Sequence, residues 1–281
     1  MKHFSRWSLL LISIFPALAP VGAFALVHAA SAAPVANPFH YEFRIDGTVN
    51  ESGSMDSSAS PYWWINSGGQ MTLSAGTGKT IQGNLPLGSY WQRTYAAANP
   101  LDTDNGLHPQ NIFRLVSRNV WQNAQEEIHF KINAYNASAS PNRDMYNGVL
   151  LFNRYVDSQN LYYTGVRVDG SVVIKKKKNG VYYTLAQQKV FPGTYNRITR
   201  PNLLPLNKWM AIRSRVSNNA DGSVNIQLYM DKENNGVWTL VASARDDGRS
   251  FGGAAITQAG FGGIRSDFMD LEFDDFRFTN I

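Results

Sequence analysis

Cysteine is absent from the 281-residue chain, so neither a disulfide bond nor a lipid-modified cysteine contributes to this protein. Histidine is scarce, with five residues, and the two scarcities together argue against a zinc site. No G-x-S-x-G elbow, phosphate-binding loop or H-E-x-x-H motif occurs, and the chemistry that each of these motifs indicates is therefore not expected. Beyond the N-terminal segment, no apolar run is long enough to span a membrane.

The N-terminal segment has the layout of a secretory signal peptide. Lys2 and Arg6 form a basic start, Leu9–Phe15 is an apolar core, and small residues precede a cleavage point after residue 32. A signal anchor is the alternative, because the apolar stretch continues toward Val27. We predict a signal peptide over residues 1–32, a secreted or periplasmic protein, and no membrane attachment after cleavage.

The remaining residues, 33–281, are predicted to form a single domain that acts as a monomer. No internal repeat and no linker-like change of composition divides them. Removal of the signal peptide takes away two of the 26 basic residues and no acidic ones, which leaves 24 against 21 and a net charge of +3. This modest charge on an exported chain argues against nucleic acid as a partner.

Helical periodicity is nearly absent after residue 40, whereas short alternating apolar and polar runs recur between turn signals. About a dozen such runs in one chain indicate an all-β fold, a two-sheet antiparallel β-sandwich or jelly roll. Two stretches rich in proline, 83–110 and 191–205, are predicted as loops. The predicted strands are His40–Ile45, Gly69–Leu73, Asn111–Ser117, Glu127–Asn133, Gly148–Val156, Leu161–Val168, Val172–Lys177, Val181–Ala186, Trp209–Val216, Val224–Asp231, Val237–Ala242 and Leu271–Phe278.

A hairpin that ends in four lysines is the most distinctive element of the chain. Asp169-Gly170 separates two β-branched runs, which is a strong hairpin signal. Alternation sends Lys175 and Lys177 to one face of the strand, beside Tyr163 and Arg167. Such a face suits an anionic, extended ligand. The alternative is a solvated edge strand on which lysines prevent aggregation.

Several other strands carry the residue types that β-elimination on a uronic acid requires. A base must remove the C5 proton, an acid must protonate the leaving O4 oxygen, and cationic or amide groups must neutralise the carboxylate. We assign proton transfer to His129 and Tyr229, with Tyr163 as the second acid/base candidate, and carboxylate neutralisation to Arg114 and Gln125. No metal or redox cofactor is required. The predicted substrate-binding residues are Lys131, Asn133, Tyr155, Arg167, Lys175, Lys177 and Gln227.

Two rival functions remain open. A glycosidase needs two facing carboxylates, but neighbours such as Glu126-Glu127 or Asp274-Asp275 point to opposite faces of a strand; Glu127 with a partner elsewhere is still possible. A non-catalytic carbohydrate-binding domain predicts aromatic platforms, for which the candidates are Trp63, Trp64 and Trp91. The segment Asp231-x-Glu233-x-Asn235-Gly236 is similar to the start of a calcium loop, although Asn-Gly is also a hairpin turn.

Four segments of the C-terminal half resemble concanavalin A-like sandwich domains. They read FNRYVDSQNLYYTGVRVDGSVVIKKKKNGVYYTLA, NKWMAIRSRV, GSVNIQLYMD and FDDFRF. The resemblance covers roughly residues 150–281 and is closest to the jelly-roll polysaccharide lyases that act on glucuronan, with alginate lyases and laminin G-like domains as more distant relatives. It implies a concave sheet that binds an acidic polysaccharide, a glucuronan-like polyuronate, and cleaves it by β-elimination.

The same resemblance bears on individual residues. In alginate lyases an arginine strand is followed by a Gln-Ile-His strand and then by a tyrosine, and Arg114, Ile128-His129 and Tyr229 have a similar order here. Glu127 stands where those enzymes have the glutamine, and Gln125 lies two residues earlier. The resemblance to the fold also implies a possible structural calcium ion near Asp274 or Asp275.

Overall fold

The computed structural model describes residues 39–281, which are almost entirely β-structure. The predicted signal peptide lies outside the described residues. In chain order the elements are β1 (Phe39–Tyr41), β2 (Gly47–Asn50), β3 (Trp63–Ser67), β4 (Gln70–Ser74), β5 (Thr77–Thr80), α1 (Tyr90–Ala98), β6 (Ile112–Trp121), β7 (Ala124–Tyr135), β8 (Gly148–Asp157), β9 (Asn160–Arg167), β10 (Ser171–Lys178), β11 (Val181–Lys189), β12 (Trp209–Asn218), β13 (Val224–Asp231), β14 (Thr239–Asp246), β15 (Gly260–Asp267) and β16 (Met269–Asn280).

The strands form two antiparallel sheets. Sheet A has the order β14-β13-β12-β7-β16-β5-β4-β2, and β1 also pairs with β16. Sheet B has the order β11-β10-β9-β8-β15-β6-β3. The prediction of an all-β, two-sheet antiparallel sandwich of jelly-roll type is confirmed. None of the helices in residues 39–281 has the length and apolar character needed to cross a membrane.

Alternation along each strand builds the core between the sheets. On β7, Ile128, Phe130 and Ile132 are fully buried, as are Val149 and Leu151 on β8 of the opposite sheet. Their intervening neighbours point away from the core, because successive side chains of a strand face opposite sides. Each sheet therefore has an inner face that holds the domain together and an outer face that is open to ligands.

The predicted lysine hairpin is confirmed. β9 pairs with β10, Val166 lies opposite Val172, and Gly170 closes the turn with a φ of 79° that glycine adopts without strain. β10 has a neighbour on each side, β9 and β11, so the alternative of a solvated edge strand is wrong. Lys175 faces the outer side of sheet B, whereas Lys176 points inward and is fully buried.

A second hairpin joins β10 to β11 through Asn179 and Gly180. Both turn residues have positive φ values, 49° and 84°, as a two-residue type I′ turn requires. The turn pairs Lys178 with Val181 and Lys177 with Tyr182. This register decides which side chains of β11 stand beside the lysines.

Several elements differ from the predictions. Helix α1 lies inside the stretch 83–110 that was expected to be a loop, and its Ala96–Ala98 end favours the helix. β15 was not predicted because its segment is glycine-rich, and glycine is a poor strand former. The short strands β2, β3 and β5 were also missed, and β1 ends at Tyr41 instead of Ile45.

A β-bulge in β8 places Asn153 and Tyr155 on opposite faces, although regular alternation would place them on the same face. Arg154 has a φ of 49°, and the pairing of β8 with β9 shifts register between Asn153 and Asp157. Asn153 consequently points into the core, whereas Tyr155 packs on the outer face of sheet B with Phe152. A bulge interrupts alternation because one strand holds an extra residue.

The inner face holds a buried polar cluster around Glu126. Its carboxyl group accepts hydrogen bonds from Gly263 N at 2.8 Å and from Asn153 Nδ2 at 2.6 Å, while Asn153 Oδ1 accepts from Ser214 Oγ at 2.7 Å. Burial disfavours the charged form and raises the pKa of Glu126 well above its ordinary value, an effect that the two hydrogen bonds only partly oppose.

We expect Glu126→Gln to change how stability depends on pH. A raised native-state pKa contributes stability that is complete below the unfolded-state value of about 4.3 and is lost as the pH rises through the native value. The stability of the variant relative to the natural protein should therefore increase between about pH 4 and pH 8. Urea denaturation at both pH values measures this difference. Exposed Glu233→Gln is the control, and an equal pH dependence in all three proteins would contradict the expectation.

Candidate functional site

The outer face of sheet B carries a groove with an internal volume of about 420 Å³. A second hollow of about 240 Å³ adjoins it, and Arg114 and Tyr163 line both. We call this continuous surface the sheet B groove. Its lining residues include Arg114, Tyr146, Tyr163, Lys175, Lys177, Tyr182 and Arg265, together with Asp102, Asp144 and Asp267.

Two arginines face each other at the centre of the sheet B groove. Arg114 on β6 and Arg265 on β15 are direct register partners, and side chains in that relation have Cβ atoms about 4.5–5.5 Å apart. Asp267 accepts a hydrogen bond from Arg265 Nε at 2.8 Å. Within residues 39–281, no carboxylate lies within 4 Å of the Arg114 guanidinium. Like charges directly opposite repel, so the pair favours an anion between them.

The lysines of β10 extend the positive charge along the groove. Lys175 lies opposite Tyr163 in register, and its ammonium group is 5.0 Å from the centre of the Tyr182 ring. Lys177 is 4.9 Å from the same ring. These cation–π contacts hold both ammonium groups at the groove surface without neutralising their charge. The expected placement of Lys175 and Lys177 on one face beside Tyr163 is therefore observed.

Tyr163 and Tyr182 form a pair with divergent proton affinities. Their ring centres are 6.0 Å apart, and each phenol group influences the ionisation of the other. Burial raises the pKa of Tyr163 to about 12. Burial also opposes ionisation of Tyr182, but the positive charges of Arg265 and Lys177 outweigh this effect, so the pKa of Tyr182 is lowered. Tyr182 is thus the readier base and Tyr163 the retained acid.

Two other predicted residues occupy this face but have structural contacts. Arg167 is 2% exposed, donates to Asp169 at 2.6 Å and lies 4.8 Å from the centre of the Tyr146 ring. Tyr155 is buried in an apolar cluster with Phe152. Arg167 therefore supports the groove from behind Tyr146, and Tyr155 shapes the floor of the smaller hollow.

The structure does not place His129 near Arg114. His129 lies on β7 and faces the outer side of sheet A, so the whole sandwich separates it from the sheet B groove. Tyr229 shares the face of His129, but β12 lies between their strands. The predicted cluster of His129, Tyr229 and Arg114 is therefore divided between two surfaces. The predicted residues on the sheet A side are Gln125, His129, Lys131, Asn133, Gln227 and Tyr229.

His129 belongs to a network of ion pairs. Its Nε2 is 3.4 Å from Glu127 Oε1 and 3.6 Å from Asp275 Oδ2, and Arg213 donates to Glu127 at 2.7 Å. Burial lowers the pKa of His129, but these carboxylates outweigh it and raise the value. A raised pKa favours the imidazolium ion, which has no lone pair to accept a proton. The network therefore does not favour His129 as the base.

Asp274 and Asp275 contradict the expectation that neighbouring residues face opposite sides. Asp275 has a φ of 56°, and a register shift interrupts the pairing of β16 with β7 between Asp274 and Arg277. His129 consequently influences both carboxylates. Asp275 is held by His40 and by Arg277, the latter at 2.9 Å. Within residues 39–281 no group of three or more His, Asp or Glu side chains is arranged to hold a metal ion.

The other expected calcium segment is a turn. Asp231 accepts hydrogen bonds from the backbone N–H groups of Glu233 at 3.2 Å and Gly236 at 2.6 Å. Its carboxylate thus stabilises the connection between β13 and β14, as aspartate commonly does in turns. A structural calcium ion stays a prediction.

The tryptophans expected to form the aromatic platforms of a binding domain mostly make contacts within the protein. Trp63 is completely buried in the core and cannot contact a ligand. Trp64 donates to Ser52 O at 2.9 Å and packs against the apolar cluster of the outer sheet B face. Trp91 is partly exposed on α1, where its ring contacts Tyr90. The exposed aromatic rings of the sheet B groove are tyrosines.

The sequence did not identify six of the charged and tyrosine residues that line the groove as site residues: Tyr182, Arg265, Tyr146, Asp102, Asp144 and Asp267. The signal for Tyr182 was present, because a two-residue turn at Asn179-Gly180 makes Tyr182 the partner of Lys177. Arg265 gave no such signal. It stands in the glycine-rich strand β15, whose pairing depends on the fold as a whole.

No protein-family model matches this chain, and no curated protein sequence does either. Among solved structures, carbohydrate-binding module CBM66 from Bacillus subtilis is 16% identical over 60% of this chain and 82% of that chain, with a TM-score of 0.42. The Bacillus licheniformis β-glucanase is 12% identical over 88% and 99%, with a TM-score of 0.45. A Bacillus subtilis protein with a galectin-like fold is 11% identical over 88% and 97%, with a TM-score of 0.48.

The names of these three neighbours refer to carbohydrate binding, glucan degradation or a galectin-like fold. None of the three names refers to a lyase. Similarity at this level bears only on architecture, which the strand pairing of the chain defines independently. The lyase assignment therefore stays a prediction.

Proposed function

We propose that this protein is a lyase that binds a uronic-acid polysaccharide in the sheet B groove and cleaves it by β-elimination. The observation that carries the proposal is the tyrosine pair beside the facing arginines: Tyr182 with a lowered pKa, Tyr163 with a raised one, and Arg114 opposite Arg265. The signal-peptide features favour an activity outside the cytoplasm. Glucuronan, which the sequence resemblance suggested, is the first polymer to test.

The arginines supply the electrostatic part of the reaction. A uronate carboxylate between Arg114 and Arg265 accepts charge-assisted hydrogen bonds from both guanidinium groups. Withdrawal of its charge makes the C5 proton more acidic and stabilises the enolate-like transition state. Lys175 and Lys177 bind further carboxylates of the polymer, which positions the chain along the groove.

The tyrosines supply the proton transfers. The Tyr182 phenolate takes the C5 proton, the C4–O4 bond breaks as the C4=C5 double bond forms, and the Tyr163 hydroxyl protonates the departing O4 oxygen. The reaction leaves Tyr182 protonated and Tyr163 ionised. The two rings are neighbours, with centres 6.0 Å apart, and transfer of one proton from Tyr182 to Tyr163 restores the starting state.

The glycosidase alternative receives less support from the groove. It requires a carboxylic acid that stays protonated opposite an ionised partner. Burial of Asp102 opposes ionisation, but hydrogen bonds from Ser140 and Asn142 outweigh it and lower the pKa. Asp267 is already paired with Arg265. The binding-domain alternative uses the same groove and differs only in the absence of cleavage.

Incubation of the mature protein with glucuronan, alginate, pectate and hyaluronan tests the proposal. Each elimination creates an unsaturated uronide, so we expect ultraviolet absorbance to rise with at least one polymer. Reducing-end release without that absorbance would identify a hydrolase instead. Binding to a polymer without either signal would identify a non-catalytic carbohydrate-binding domain.

A further inference from the structure

The sheet B groove has two ends of different charge. Toward Lys177 the smaller hollow is lined by Arg114 and Lys177 and by no carboxylate. At the other end the larger cavity is lined by Asp102, Asp144 and Asp267 as well as by Arg114, Lys175 and Arg265. Lys175 and Tyr146, whose ammonium group and ring centre are 5.5 Å apart, also line this larger cavity. A ligand that fills the whole groove therefore meets cationic groups alone at one end and carboxylates among cationic groups at the other.

Asp267 is the best-defined residue of the acidic end. Its side chain is 4% exposed, and Oδ1 accepts from Arg265 Nε at 2.8 Å. Within the described part of the chain, Oδ2 is buried and has no hydrogen-bond partner. A buried carboxylate oxygen needs a donor, and Asp267 lines the cavity. A ligand hydroxyl or amine in that cavity meets this requirement, whereas a second carboxylate does not.

The other two carboxylates are fixed in orientation. Asp102 Oδ1 accepts from Ser140 Oγ at 2.6 Å and from Asn142 Nδ2 at 2.9 Å, and its pKa is lowered by those bonds against the effect of burial. Asp144 Oδ1 accepts from Tyr146 N at 2.7 Å. The acidic end is thus a rigid acceptor surface.

From these observations we infer that the ligand alternates an acidic sugar with a sugar that carries no negative charge. The acidic sugar lies between Arg114 and Arg265, and its neighbour presents hydroxyl or amino donors to Asp102, Asp144 and Asp267. A homopolymer of uronic acid would place a carboxylate at the acidic end, where like-charge repulsion opposes it. This inference rests on the proposed function, because it names the substrate class of the same groove.

Binding by the Tyr182→Phe variant, which is expected to leave the ligand intact, tests the inference. Calorimetry would compare oligosaccharides of equal length: glucuronate alone, and glucuronate alternating with glucose, with N-acetylglucosamine or with unsubstituted glucosamine. We expect at least one alternating ligand to bind about tenfold or more tightly than the homopolymer. A preference for glucosamine identifies an ammonium donor, and equal binding of all three alternating ligands identifies hydroxyl donors.

Asp144→Asn, combined with Tyr182→Phe, provides the matched variant, because asparagine keeps the turn-capping oxygen and removes the charge. It should improve binding of the homopolymer and reduce the preference for alternation, whereas Asp221→Asn at an exposed turn should change neither. Equal or tighter binding of the homopolymer by the Tyr182→Phe parent would overturn the inference while leaving the proposed function intact. Failure of every uronate ligand to bind would instead contradict the proposed function itself.

Discussion

Replacement of Tyr182 by phenylalanine is expected to lower kcat on a susceptible uronate polymer by about 10²–10⁴-fold, the usual contribution of a positioned acid or base. The hydroxyl group is lost while the ring that contacts Lys175 and Lys177 remains, so KM should change little. Initial rates over a range of polymer concentrations separate the two constants. Because the proposed base is the ionised form of Tyr182, the rate of the natural protein should rise with pH toward the lowered pKa of that residue.

Tyr183→Phe is the matched control for this experiment. Tyr183 is the next residue on β11 and faces the opposite side, where its ring lies against Gly252. His129→Gln is the second control, since His129 lies on sheet A. A loss of activity in His129→Gln with full activity in Tyr182→Phe would transfer the chemistry to the sheet A face and contradict the mechanism proposed for the groove.

Lys176→Ala is expected to destabilise the protein by about 3–5 kcal/mol, the cost of breaking a buried ion pair by removing one partner. Lys176 and Asp246 are both completely buried, and Lys176 Nζ is 2.8 Å from Asp246 Oδ2. The same carboxylate oxygen accepts from Tyr162 OH at 2.6 Å, and Lys176 also donates to Gly253 O at 2.8 Å. Loss of the ammonium group leaves a buried negative charge without its counter-ion. Urea denaturation followed by circular dichroism measures the change.

Lys178→Ala is the matched control, because Lys178 occupies the next position on the same side of β10 but is only partly buried. We expect its effect to remain within about 0.5 kcal/mol. A double variant, Lys176→Met with Asp246→Asn, removes both charges and should recover most of the lost stability. If Lys176→Ala unfolded at the same urea concentration as Lys178→Ala, the buried pair would have no role in stability.

The sequence predicted the hairpins and the faces of their strands correctly where local rules of turns and alternation determine them. Turn residues at 169–170 and 179–180 with alternating neighbours determine the hairpins, and they place Lys175 and Lys177 on one face without knowledge of the fold. The sandwich class followed from the same alternation. What these rules do not specify is which sheet each strand joins. That choice separated His129 from Arg114, because β7 and β6 are adjacent in the chain but belong to different sheets.

Departures from regular alternation limited the prediction of the site. Arg154 and Asp275 adopt positive φ values that their side chains do not reveal in advance, and each one shifts the following residues relative to the faces of its strand. Gly263 in β15 is a different case: a Cβ atom there would lie 2.1 Å from Leu115 O, so close strand approach requires glycine. The glycines of β15 made this strand difficult to predict from strand propensity. The same glycines permit the close pairing of β15 and thereby place Arg265 in the groove.

The β10–β11 hairpin forms one wall of the groove, and this wall can change in length without a change in the other strand pairings of sheet B. β11 is the outermost strand of sheet B, and its hydrogen-bonded neighbour in that sheet is β10. Lys176 and Ile174 anchor β10 in the core, while Tyr182 and the outward lysines line the groove. Extra residues inserted at the Asn179-Gly180 turn would lengthen this wall without altering the ladder between β9 and β10. Subsites at this end can therefore diversify by hairpin extension, separately from the arginine and aspartate positions that the rest of the sandwich holds.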